Sequence, residues 1–351
     1  MPIFNQGYQN WHGNLSGHTW RWLAIARFGV AAQWKSKAVR AVVLMALAPA
    51  LGLVAFLILW GLFEQQSSLL TPFLSFIQSL PNELQAGPRG YRNVFWTMAF
   101  HIFFNVELFF SMLLVLLIGP NLISQDLRFN AIPLYFSRPL RRIDYFAGKL
   151  GVIAFYVALV SIVPAVLGYL CGFAFSYDLG VLRDTGHLLA ASVAYGAVIV
   201  VSAGTLMLAI SSMSRNSRMV GAIWIGFWIV SGMSGDILTQ TVRQDWCPIV
   251  SYQNNLLRVR EAMLDTAGAR AKIRALYEAG QDQVQQAVIP KPFGRRIRVP
   301  INRPPRPARP GMDSDGNSIY PWQWSAGVLA GLTGLSLWTL SSRVKSLDRL
   351  K

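Results

Sequence analysis

The sequence predicts an all-α integral membrane protein with six transmembrane helices, and three observations predict it. Hydrophobic residues make up 53% of the 351 and charged residues only 14%, with a mean hydropathy of +0.37, whereas soluble domains carry about 25% charged residues. Six stretches approach the roughly 20 apolar residues that a helix needs to cross a hydrocarbon core. Lys and Arg gather in alternate connecting segments, as they do when those segments stay in the cytoplasm. The composition excludes a disordered chain and a disulfide-rich secreted module. Cys171 and Cys247 are the only two cysteines; they cannot build a disulfide framework, and their pairing with each other depends on a distance that spacing does not fix. The net charge of +16 would point to nucleic acid in a soluble protein. In a membrane protein, cationic inner loops account for it.

Residues 1–40 form a tail in which Trp20, Arg21, Trp22, Ile25, Arg27, Phe28 and Trp34 mix aromatics with cations. That pattern predicts a helix lying flat at the cytoplasmic interface, its rings at headgroup depth. The first apolar run starts too late for a secretory signal peptide. Span one is Ala41 to Phe63. Span two is about Val94 to Ile118, broken by one acid, Glu107. Span three is Leu150 to Phe175 and span four about His187 to Ser211. Span five, Met219 to Gly235, is the shortest, and a re-entrant element would also explain it. Span six is about Pro321 to Leu340. Pro49 and Pro164 fall inside spans one and three and predict kinks.

Orientation comes from the short connections. The N-terminal tail carries Arg21, Arg27, Lys35, Lys37 and Arg40. The link between spans two and three carries Arg128, Arg138, Arg141, Arg142 and Lys149. The next cationic loop has Arg215 and Arg218, and the C-terminal tail has Arg343, Lys345, Arg349 and Lys351. Both termini are therefore expected in the cytoplasm, which needs an even number of spans. Residues 41–240 then hold spans one to five, 241–320 an outer link, and 321–351 the sixth span and a cytoplasmic tail. The outer link carries 13 Lys/Arg between Arg243 and Arg309, but segments beyond about 60 residues escape the charge rule. Within it, Asn254 to Val288 reads as helical with breaks at Gly268 and Gly280. Pro290 to Pro310 holds seven prolines and seven Lys/Arg, a composition for extended, solvated chain. Asp313 to Asn317 reads as a turn.

The most informative segment lies between spans two and three. Gly119 to Ile132 reads as a short amphipathic helix stopped near Pro133. A turn comes next at Ser137-Arg138-Pro139, and Arg141, Arg142 and Lys149 lead into span three, where they can anchor at lipid phosphates. This segment resembles the cytoplasmic link of ABC-2 type permeases, the membrane subunits of one class of ABC transporter. The shared pattern is an acid and a basic residue, a short helix, Ser-x-Pro, a basic residue, and Gly-Lys opening the next span. Here those features fall on Asp126, Arg128, Ser137, Pro139, Arg141 and Gly148-Lys149. The resemblance covers about residues 18 to 258; Trp246 to Arg260 is similar to the segment after span five in bacterial members. The long outer link departs from the compact members, where span five leads into short re-entrant helices.

The resemblance implies a coupling helix at about 121–132 that docks into a separate ABC ATPase. It implies ATPase-coupling roles for Asp126, Arg128, Ser137, Pro139, Arg141 and Lys149, and a second permease copy or paralogue completing the pathway in a bacterial inner membrane. No P-loop is present: Gly148-Lys149 is followed by Leu150, without the preceding glycine that phosphate cradling needs. ATP is then bound by a partner subunit, the chain needs no cofactor of its own, and it is not itself an enzyme. Membrane lipid is the other expected partner, and nucleic acid is not expected. Gly327 and Gly331 stand at GxxxG spacing and permit close helix contact.

Inside the spans, Glu107 is a functional candidate by default, as a pathway-lining or proton-coupled group; a neutral acid bonded to a neighbouring helix explains it as well. His101 is placed beside it as a pathway residue, on a different face of the same helix. Three other readings stay open on the sequence. One is an ATP-driven mechanical or signalling module with no cargo. One is a membrane oxidoreductase using His101 and His187 as haem ligands. One is a nucleic-acid-associated protein using the Arg/Pro stretch.

Overall fold

The computed structural model describes residues 20–68, 87–136, 140–242, 244–288 and 320–348. Among them there is no strand, and five helical elements are long and apolar enough to cross a membrane: Lys37–Glu64, Pro88–Arg128, Arg142–Ser176, Gly180–Met213 and Ser217–Val242. This is the make-up of a multi-pass membrane protein. The five correspond to expected spans one to five. The Pro/Arg-rich stretch 290–310, the turn at 313–317, and Ser137 and Pro139 lie outside the described residues.

Helix α1, Arg21–Trp34, precedes α2, Lys37–Glu64, whose first turn is capped by Ser36 accepting from the Val39 N–H. Helix α3, Arg92–Arg128, is 37 residues long. A five-residue helix α4, Ile132–Phe136, lies in the link to α5, Arg142–Val157. A π-helical turn, Ala158–Ile162, leads into α6, Val163–Ser176. Helix α7, Gly180–Ile199, passes through a second π turn, Val200–Gly204, into α8, Thr205–Met213. Then come α9, Ser217–Val242, α10, Tyr252–Leu264, α11, Thr266–Val288, and α12, Trp322–Asp348. The link end of the bundle carries the 129–141 connection and the Ser214–Asn216 loop. The far end lies near Glu64, Arg92 and Ser176.

Close helix approach is written in glycines. A Cβ on Gly148 would sit 2.6 Å from Ile25 Cβ and 2.9 Å from the Trp22 carbonyl oxygen, and one on Gly29 would sit 2.4 Å from Val152 Cγ2. So α1 lies in a shallow groove on α5. Tyr156 closes the groove, its hydroxyl donating to the Val30 carbonyl at 3.0 Å and its ring stacked on Trp34. The outward side of α1 keeps Trp20, Leu23 and Phe28 exposed. Likewise, a Cβ at Gly172 would meet Trp96 and Leu57 at 2.7 and 3.0 Å, which seats α6 on α2 and α3. The core between these helices is aromatic, with Trp96, Phe100, Phe104, Tyr169 and Tyr195 all buried. Edge-to-face pairs such as Trp96–Tyr169 and Phe104–Tyr195 fix their order.

The separate helix expected at 121–132 is not what forms. Residues 121–128 are the last two turns of α3, which runs straight through Pro120. The reason is a polar graft from α8. Proline leaves the carbonyl four residues back, that of Leu116, without its donor, and the turn after it is tied to α8 instead, Ser211 Oγ donating to the Pro120 carbonyl and accepting from the Ile123 and Ser124 N–H groups at 3.3 and 3.0 Å. Ser124 Oγ also donates to the Pro120 carbonyl and lies 2.7 Å from Ser217 Oγ of α9. The chain breaks later, at Asn130 with φ 54°, and Pro133 sits inside α4 rather than ending a helix. At Pro164 the preceding π turn absorbs the misfit.

The outer link also departs from expectation. After α9 the chain turns back along it: a Cβ at Gly235 would sit 2.6 Å from Ser251 Cβ, and Tyr252 packs on Phe227 and Trp228. Tyr252 reaches Ser202 of the second π turn, oxygen to oxygen 3.0 Å. From there α10 returns towards the far end, and Arg260 donates to Asn105 Oδ1 at 3.3 Å. Asn105 lies about 20 Å along α3 from Arg92, at about 1.5 Å per residue. Residues 247–264 are thus a re-entrant element at mid-bundle depth rather than a loop beyond the bundle. Span five is a full helix, and the re-entry belongs to the segment after it. The break between α10 and α11 falls at Asp265, φ 52°, three residues before Gly268.

Helix α12 has 27 residues, roughly 40 Å, yet it is not among the five helices apolar enough to span. Gln323, Ser325, Thr333, Ser336 and Thr339 dilute its leucines. Thr333, Ser336 and Thr339 return their hydroxyls to their own helix, at the Leu329, Leu332 and Ser336 carbonyls. Its start is tied to α10, Arg258 donating to the Tyr320 carbonyl at 3.0 Å. Cys171 and Cys247 are both free thiols.

Candidate functional site

At the link end the structure joins two of the residues that the sequence singled out. Lys149 Nζ lies 2.7 Å from Asp126 Oδ2, with the side chains only 11% and 15% exposed. The same carboxylate oxygen accepts from the Tyr145 hydroxyl at 2.7 Å. The ammonium also faces the Tyr135 and Tyr145 rings at 5.7 and 5.4 Å, and the two rings meet edge to face. One carboxylate therefore ties the end of α3 to α5, and the tyrosines tie α4 into the same knot. A mostly buried ion pair with a hydroxyl donor and two ring faces has its desolvation cost well compensated, so it fixes geometry. Helix α5 starts cleanly because Asp144 accepts from the Arg141 N–H at 3.2 Å.

Of the other predicted link residues, Arg128 and Arg141 are described and neither joins this knot. Arg128 is exposed, with its guanidinium 5.6 Å from the Phe129 ring, and Arg141 is exposed at the start of α5. Arg142 is exposed as well, and the same link exposes three large apolar side chains by more than two-thirds: Phe129 at 72%, Leu134 at 71% and Ile143 at 76%. The link thus presents both cations and large apolar side chains outside the knot.

Inside the bundle, Glu107 is fully buried and neither carboxylate oxygen has a hydrogen-bond partner; Ser111, one turn on, is in the same position. His101 faces elsewhere, with Nε2 3.2 Å from Arg270 Nη2 of α11. The two pathway candidates therefore line different surfaces of α3, as their spacing requires. Haem ligation by His101 and His187 finds no support in this geometry, since His101 is engaged by an arginine.

Sequence reasoning missed two polar centres. At the far end, Arg92 is 1% exposed and binds Glu64 through Nε and Nη2 at 2.8 and 2.5 Å, Asp178 at 3.0 Å and Asp184 at 3.4 Å; Trp60 also donates to Glu64. This clamps the ends of α2, α3 and α7 and the turn between α6 and α7. The Asp178 carboxyl is held below the ordinary aspartate range, first by the Gly180 N–H and then by Arg92. The available signal was an acid one residue beyond an apolar run and an arginine two residues before the next. The second centre is Arg260 on α10, 2% exposed and bonded to neutral Asn105. Nothing local marks it, because the re-entry that buries it is tertiary. Comparison with family models, with curated proteins and with solved structures finds no match to this chain.

Proposed function

We propose that this chain is the membrane-spanning permease subunit of an ATP-driven exporter of the ABC-2 type, working as a pair with two separate ATPase subunits. The observation that carries the reading is the link between α3 and α5. Its exposed Arg128, Phe129, Leu134, Arg141 and Ile143 stand on a base locked by Asp126, Lys149, Tyr135 and Tyr145. Large apolar side chains exposed among charged ones mark a protein-docking surface. A locked base lets a push on that surface reach two spanning helices as one body, and it acts on them only through contacts that differ between the partner's two states. The sequence has no P-loop, so the nucleotide is bound by the partner. In this reading the link end is cytoplasmic, α1 lies at the cytoplasmic interface, and α12 is the sixth span. On α12 a Cβ at Gly327 or Gly331 would meet nothing within 4 Å, leaving that face open to a second copy. The re-entrant α10 fits the short re-entrant helices of the compact family members.

The test is co-purification in mild detergent with identification of what accompanies the chain. A stoichiometric P-loop ATPase that is lost on Phe129→Asp or Leu134→Asp supports the reading. A chain that stays free of any ATPase under crosslinking sinks it.

A further inference from the structure

The re-entrant pair α10–α11 lays a cationic strip against a polar stripe of α3. Asn93, Thr97, His101 and Asn105 recur at four-residue spacing, so they share one side of that helix. Opposite them stand Lys272 at the far end, Arg270 beside His101 at 3.2 Å, and Arg260 on Asn105 at 3.3 Å. A cavity of about 120 Å³ opens at the far end of this seam, lined by Asn93, Thr97, His187, Asp265 and Lys272 among others. That is several times the ~30 Å³ share of one water.

The seam is over-supplied with cations. Glu261 serves Arg258 at 3.7 Å and Arg270 at 3.1 Å, and Asp265 is the other acid that faces it. Arg260 has no carboxylate within ion-pair distance among the described residues. Its Nε–H is buried without a partner, as are the Tyr195 hydroxyl and His101 Nδ1 nearby. A buried guanidinium with an open N–H is costly unless something anionic completes it, and its planar fork suits phosphate oxygens.

The geometry points to the Arg260 end of this seam, where the Arg260 Nε–H, the Tyr195 hydroxyl and His101 Nδ1 are buried without partners and Arg270 stands beside His101, as a binding site for a phosphate-bearing anion anchored by Arg260. As a cargo site it rests on the exporter reading; as a binding site it stands on these contacts alone.

The experiment uses the full chain in neutral detergent, without any ATPase, so the failure of one proposal is distinguishable from the failure of the other. The chain is equilibrated with phosphatidylcholine vesicles with or without phosphatidylglycerol, and retained lipid is counted by native mass spectrometry. Inorganic phosphate is added in a second arm, read by tryptophan fluorescence. Saturable retention of phosphatidylglycerol over phosphatidylcholine assigns the seam to a lipid headgroup. A phosphate response without lipid retention assigns it to a free anion. Either requires affinity to fall roughly tenfold in Arg260→Gln and again in Arg270→Gln, since a charged hydrogen bond is worth about a decade. Arg270 keeps 21% of its side chain exposed, so its variant reads binding even where Arg260→Gln does not fold. No preference for the anionic lipid together with no phosphate response overturns the assignment, as does equal affinity in wild type and Arg270→Gln.

Discussion

Removing Asp126 is the sharpest test of the knot at the link end. Both side chains of the pair are mostly buried, 15% and 11% exposed. Breaking a buried ion pair from one side costs about 3–5 kcal/mol, because the surviving charge stays where it is. The remaining solvent access at both groups puts this pair near the lower figure, about 3 kcal/mol, and losing the acceptor for the Tyr145 hydroxyl adds about 1 kcal/mol. Asp126→Ala is therefore expected to cost about 4 kcal/mol and Asp126→Asn, which keeps an acceptor for Tyr145, about 3 kcal/mol. Lys149→Met leaves the carboxylate with the tyrosine alone and costs about 3 kcal/mol. The double variant should cost well under the sum, with a coupling of about 2 kcal/mol or more. Reversible unfolding in mixed micelles, monitored by tryptophan fluorescence, measures all four corners of the cycle. Additive losses, with coupling under about 0.5 kcal/mol, would refute the argument that the pair acts as one unit. Under the exporter reading, Asp126→Asn should also leave ATP hydrolysis by the partner running while transport falls, since docking residues are untouched and only the base is loosened.

Three more outcomes are expected. Gly148→Val should lift α1 off α5, because the new Cβ would lie within 3 Å of Ile25 and the Trp22 backbone; a loss of about 1–3 kcal/mol and a broken crosslink between cysteines placed at Ala26 and Gly151, whose Cβ positions are neighbours, would show it. Ser211→Ala strips the Pro120 turn of a donor and an acceptor at once, and should cost about 2 kcal/mol, read as a lower melting temperature, with Ser211→Thr restoring part of it. The far-end clamp has a fixed pH sense. The Asp178 carboxyl lies below its ordinary value in the folded chain, so its contribution is complete above about pH 4, the unfolded value, and is lost only as pH falls through the folded one. Melting temperature should show no pH dependence from Asp178 between pH 7 and about pH 5, and the steeper acid limb below that should shrink in Asp178→Asn. An unchanged acid limb in that variant would remove Asp178 from the clamp.

The five spanning helices were legible because an apolar run of sufficient length has one stable solution in lipid, a helix that satisfies its own backbone. That logic is local, and it located α2, α3, α5–α6, α7–α8 and α9, although polar flanks extend the helices past the apolar runs, by 10 residues, Ile118 to Arg128, at the end of α3. It also placed Asp126 and Lys149 at the link, though not their contact across 23 positions, and it was silent on Tyr135 and Tyr145. What the sequence could not contain is where polar groups find partners. Residues 121–132 read as a separate helix until Ser211 of α8 ties the turn after Pro120 and α3 runs on to Arg128. Arg92 reads as a loop cation until Glu64 and Asp178 close around it. Arg260 reads as one more charge in a long link until α10 turns back to mid-bundle. Apolar burial depends on chain length and composition, which any single stretch carries. Hydrogen bonds and ion pairs are directional and need two atoms within about 3 Å, and only the packed helices bring those atoms together.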